Sequence, residues 1–226
     1  MVMLMLIAPA CTKEEVRRLG EGILKEMSET RVVALVHGFG SGDDTGMHEL
    51  LELLEESAPS HITVVAKVFS PFDEDKPLAV AFLKEGVKSA EGNPEKTEII
   101  LIGHSMGGYA VVAIAKLLNE ADTTVDKMVQ IDAMDLRSGS IPVCQPANVS
   151  AGLTYFQETN PIFPYGDWCE SDDAIDIDVK EHFPESEDLG CWSHTGMDNC
   201  PPLHQEVKDF VFAGTIPTGL GISPLP

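Results

Sequence analysis

Three kinds of side chain in this sequence could do covalent chemistry together: a serine set among glycines, several histidines, and carboxylates that end apolar runs. Ser105 stands in GHSMGG, with Gly103 two positions before it and Gly107 two after. A serine hydroxyl becomes a nucleophile when a neighbouring imidazole accepts its proton, and that imidazole must be oriented by a third group. G-x-S-x-G arises by chance in about one chain in ten of this length, so its surroundings decide. Those surroundings are apolar EIILI before it and a helical pattern, Met106 to Leu118, after it. A strand that turns directly into a helix forces Ser105 into a strained bend and exposes its hydroxyl above the sheet.

The elements that must hold such a group follow from periodicity. RVVALVHG, HITVVAKVF, EIILIG, VDKMVQID and NVSAGLTYFQ read as strands, and Met47 to Ala58, Pro77 to Ala90 and Pro202 to Phe212 carry helical patterns. Apolar strands alternating with helices predict an α/β fold, a mainly parallel central sheet with helices on both faces. Its ligand site belongs at the carboxyl ends of the strands. The chemically active residues fall there. HGFGSGDDTG, His37 to Gly46, follows the first strand and Ser105 the third; Asp132 and Asp135 close the fourth, Glu158 closes the fifth, and His194 lies in the loop before the final helix.

A chain of 226 residues is one domain of ordinary size, and it carries no internal repeat. Its net charge of -22 repels polyphosphate, which argues against a nucleic-acid partner and suits neutral substrates. No apolar run approaches the roughly 20 residues needed to cross a bilayer. The start, MVMLMLIAPAC, reads as the remnant of a secretory or lipoprotein signal, as an apolar N-terminal strand, or as a tail of no significance. Cys144, Cys169, Cys191 and Cys200 make an even set, with Cys11 left where a lipid anchor would attach, and this leans toward export. Spacing makes Cys191 with Cys200 the natural local pair and leaves Cys144 with Cys169; reduced, buried thiols are the alternative. No cysteine spacing suits zinc, and neither metal nor cofactor is expected. Glu170 to Asp188 is strongly acidic but lacks the glycine and glutamate of an EF-hand loop. It reads as a solvated excursion loop, with a calcium site on Asp172, Asp176 and Asp178 as the other reading.

HGFG after the first strand, GHSMGG at the bend and the late SHTGMDN and LHQEV segments resemble the α/β-hydrolase fold, in particular its compact lipases and esterases. The order nucleophile, acid, histidine along the chain is also that family's order. The resemblance runs from about Arg31 to Phe212 and implies one hydrolase domain, residues 31–226, without a large cap. Residues 1–30 are an N-terminal segment that it leaves unexplained. On this resemblance His194 is the base. His48 and His204 lie in helices, His61 begins a strand, His182 sits in the acidic excursion, and His37 and His104 take supporting roles with Gly38 and Gly107. The oxyanion donors are the N–H groups of Met106 and Phe39.

The acid stays open between strands. Most of the family places it after the strand after next, which favours Glu158, with Asp167 further along. A lipase subgroup ends the very next strand with it, and QIDAMD resembles that segment. Asp132 is the choice, with Asp135 and Glu158 as alternatives. The implied activity is hydrolysis of neutral carboxylic esters, small-molecule or lipid, through an acyl-enzyme. Acyltransferase or thioesterase chemistry on the same residues is the alternative, and a non-catalytic binding protein of this fold is a third reading.

Overall fold

Successive side chains leave a strand on opposite sides, so a run that is apolar throughout is stable only where both faces are covered. The computed structural model describes residues 28–39, 45–90, 96–134, 145–157 and 174–213. Strands β1 (Glu29–Val36), β2 (Ile62–Phe69), β3 (Thr97–His104), β4 (Lys127–Ile131), β5 (Gly152–Phe156) and β6 (Ala174–Asp178) form one six-stranded sheet in the order β2-β1-β3-β4-β5-β6. Every pairing is parallel. The helices are α1 (Thr45–Glu56), α2 (Lys76–Ser89), α3 (Met106–Asn119) and α6 (Pro201–Ala213), with single turns α4 (Val179–His182) and α5 (His194–Met197).

The alternation divides the core. Val33, Leu35, Ile100, Ile102 and Ile131 pack on one face with Leu50 and Leu54 of α1 and Leu203 and Val207 of α6. Their neighbours Val32, Ala34, Ile99 and Leu101 point the other way, to Leu83 of α2 and to Val111, Ile114 and Leu118 of α3. The chain passes from β1 to β2 on one side and then returns to β3 on the other side of β1, so the winding reverses between β1 and β3. A crevice opens at the carboxyl ends of strands whose connections leave in opposite directions. Here those ends carry His37–Phe39 and Ser105.

The acidic stretch departs from its expected state. Part of it is the edge strand β6, followed by α4, rather than a solvated excursion loop. Ile175 and Ile177 alternate with Asp176 and Asp178, and Ile177 and Val179 are fully buried. Two apolar residues among so many carboxylates are too faint a period to read; pairing with β5 supplies what the pattern lacks. The Asp178 carboxylate caps α4, accepting from the Lys180 N–H at 2.9 Å. Asp172 lies outside the described residues, and no metal-binding group of side chains occurs among those described. Nor is any described helix long and apolar enough to cross a membrane.

Candidate active site

β3 ends in a bend at Ser105, whose φ of 55° and ψ of -122° cost a non-glycine residue roughly 1–3 kcal/mol. Neighbouring strands hold the bend. The Ser105 N–H donates to the Ile131 carbonyl at 2.9 Å, and the Ser105 carbonyl accepts from the N–H groups of Gly108 and Met134, each at 3.0 Å. α3 must also approach β1 closely. A Cβ on Gly107 would lie 2.0 Å from the Val36 carbonyl oxygen, so any side chain there would push the helix away. Gly38 faces Ser105, and a Cβ on it would crowd the Ser105 Cβ at 3.1 Å. A larger residue would narrow the space beside the hydroxyl.

His194 opens the single turn α5 instead of lying in an irregular loop. Ser193 caps that turn, its Oγ accepting from the Gly196 N–H at 3.1 Å. A disulfide between Cys191 and Cys200, Cα atoms 5.0 Å apart, closes the segment around the histidine. The ring is placed between a hydroxyl and a carboxylate: Nε2 lies 2.8 Å from Ser105 Oγ, and Nδ1 lies 2.6 Å from Asp132 Oδ2. A carboxylate only accepts, so Nδ1 carries the hydrogen and Nε2 accepts from the serine hydroxyl. Asp132 follows β4 at φ 42°, a left-handed conformation that aspartate tolerates better than most residues. Its N–H donates to the Tyr155 carbonyl at 2.7 Å, which ties the acid to β5.

The structure thus brings Ser105, His194 and Asp132 together. Asp135, Glu158 and Asp167 lie outside the described residues, as do Cys11, Cys144 and Cys169. His104 Nε2–H donates to the His194 carbonyl at 2.9 Å, and the two rings lie 5.1 Å apart. His37 Nδ1–H donates to the Gly38 carbonyl at 2.7 Å. Met106 opens α3, where the first N–H groups have no intrahelical acceptor. Phe39 sits in the turn after β1; the residue is 61% exposed and its ring meets Phe72 edge-on at 6.0 Å.

Two residues that the sequence did not single out join this network. Gln157, just past β5, donates its side-chain Nε2–H to Asp132 Oδ2 at 3.1 Å. Asp198 Oδ2 lies 3.5 Å from His104 Nδ1, and its carbonyl accepts from His204 Nε2–H. Their only sequence signals were position, beside Glu158 for one and within SHTGMDN for the other. On the α6 side, the Tyr155 hydroxyl donates to Glu206 Oε2 at 3.2 Å, and Glu206 also pairs with His182 at 2.7 Å. Burial, then the Glu206 charge and hydrogen bond, push the Tyr155 phenol well above its ordinary value.

No protein-family profile matches the sequence, and no curated protein matches it either. Solved structures do. Lipase B from Aspergillus fumigatus superposes with a TM-score of 0.54 at 13% identity, over 93% of this chain and 61% of that one. A cutinase-like protein from Cryptococcus sp. gives 0.32 at 18% identity, over 46% of this chain and 54% of that one. A protein from Lactobacillus plantarum described as a cell surface hydrolase gives 0.48 at 13% identity, over 84% and 94%. The chain spans under two thirds of the length of the first two. At these identities the likeness speaks for architecture: with its six parallel strands, the chain has the α/β-hydrolase fold.

Proposed function

We propose that the protein is a serine hydrolase of neutral carboxylic esters that works through an acyl-enzyme on Ser105. The observation that carries this reading is the continuous hydrogen-bonded chain from Ser105 through His194 to Asp132, anchored at the strained bend. In the reaction the Ser105 Oγ attacks the ester carbonyl carbon while His194 Nε2 takes the hydroxyl proton. Asp132 fixes the ring and offsets the positive charge it acquires. The N–H groups of Met106 and Phe39 donate to the oxyanion, where fixed dipoles in a dry site act most strongly. His194 then returns the proton to the leaving alcohol, and water repeats the sequence in reverse to release the acid.

The surroundings favour an uncharged, partly apolar substrate. The exposed ring pair of Phe39 and Phe72 offers an apolar wall, and a net charge of -22 disfavours anionic esters. The test is labelling with a fluorophosphonate probe, peptide mapping, and hydrolysis of p-nitrophenyl esters of increasing chain length. Ser105 is expected to carry the label, and Ser105→Ala to stay folded and lose most turnover, keeping only what the oxyanion donors and binding provide. Label on Ser41 or Ser193, or an active Ser105→Ala protein, overturns the reading. Adding a competing alcohol and analysing products separates hydrolysis from acyl transfer.

A further inference from the structure

We propose that Gln157 is a positioning residue: its side-chain amide fixes the Asp132 carboxylate in the rotation that orients the His194 ring toward Ser105. The inference rests on the reading of Ser105, His194 and Asp132 as the reacting group. It starts from the strand register. β4 and β5 pair with Ile131 opposite Tyr155, so the residues just past those positions are neighbours at the carboxyl edge. The ladder runs one step beyond β4, through the Asp132 N–H to the Tyr155 carbonyl, and then passes to side chains.

Gln157 and Asp132 are each only 1% exposed. A buried carboxylate is costly unless donors satisfy it, and an amide is a donor that cannot itself take up a proton or a charge. Gln157 Nε2–H and His194 Nδ1–H converge on the same oxygen, Oδ2, at 3.1 and 2.6 Å. That convergence holds the carboxylate in the rotation that presents Oδ2 to the ring. Among the described residues, the titratable groups near the pair include the His104 ring, 5.1 Å from that of His194, and Asp198, which faces His104 at 3.5 Å; the Ser105 hydroxyl lies on the far side of the His194 ring. Asp135 and Glu158 follow in sequence outside the described residues.

Gln157→Glu keeps the shape and replaces a neutral donor with a second carboxyl beside Asp132. At low pH the two carboxyls share a proton and the shared hydrogen stands in for the amide. As pH rises, the second charge makes His194 hold its proton longer. The acid limb of the pH profile for fluorophosphonate labelling of Ser105 is expected to move up by about one unit or more. Gln157→Met removes the donor without adding charge and is expected to lower the labelling rate about tenfold to a hundredfold, the range for one hydrogen bond to a charged group. A proton NMR titration of the His194 ring, which needs no turnover, is expected to show the same upward shift in Gln157→Glu. If both variants fold and the His194 titration and the acid limb stay where they are, the proposal is overturned, whatever happens to the rate. A wild-type protein that is never labelled at Ser105 instead sinks the functional reading, and the NMR titration still decides the part played by Gln157.

Discussion

Replacing Asp132 by asparagine removes one negative charge and almost no volume, so its effect measures what the charge does. In the proposed reaction the proton that leaves Ser105 would make His194 an imidazolium, whose Nδ1 lies 2.6 Å from Oδ2. With charge centres about 4 Å apart and an effective dielectric of about 20, the attraction is worth about 4 kcal/mol. That corresponds to a factor of about 10³ in kcat. Water does little to replace it, because the two side chains are 8% and 1% exposed. The hydrogen-bond pattern adds a second effect. An asparagine that turns its amide nitrogen toward the ring moves the ring hydrogen to Nε2, and such molecules cannot accept the serine proton. Gln157 opposes that rotation, since it too donates to the Oδ2 position. The expected loss is therefore about 10³, rising toward 10⁴ as the wrong tautomer is populated, with KM little changed. The assay is steady-state hydrolysis of a p-nitrophenyl ester, with the folded fraction matched by circular dichroism. Asp135→Asn and Glu158→Gln are expected to cost less than about tenfold. A small loss in Asp132→Asn together with a large one in Glu158→Gln would refute the assignment and move the acid to the later strand.

Removing the Cys191–Cys200 disulfide through Cys191→Ser with Cys200→Ser is expected to destabilise the fold by about 2 to 3 kcal/mol, from the chain entropy of a closed loop of about ten residues. Because that loop carries His194, kcat is expected to fall more than KM rises; unchanged melting and unchanged kcat would show that the crosslink has no role in holding the ring. Tyr155 gives a prediction for alkaline pH. Its phenol stays protonated in the fold, by burial and beside Glu206, while in the unfolded chain it ionises near 10, so the folded state binds more protons and stability falls as pH rises above about 10. Tyr155→Phe is expected to lose about 1 kcal/mol near neutrality with the hydrogen bond to Glu206, and to flatten that alkaline slope in urea titrations. An equal slope in the two proteins would show that other groups drive it.

The parts of this fold that could be read from the sequence are those written in local patterns. β1 and β3 each carry an unbroken apolar run, Val32–Val36 and Ile99–Ile102, because both faces of the sheet are covered there, and the Gly103, Gly107 and Gly108 spacing follows from how closely α3 must approach the sheet. These requirements act within a few residues of where they are felt. β6 escaped because its alternating isoleucines are only two and the aspartates between them look like solvent-facing charge. The site shows the same division. Ser105 is marked by its own neighbours, whereas the pairing of Asp132 with Gln157 depends on β5 lying beside β4 in one register, and the approach of Asp198 to His104 depends on where the disulfide-closed segment docks. Neither pairing leaves a trace in spacing along the chain, since the residues involved are 25 and 94 positions apart. The groups that would react thus lie in short motifs, while those that would orient them are assembled by topology. A register shift of one residue between β4 and β5 would leave GHSMGG intact and still separate Gln157 from Asp132.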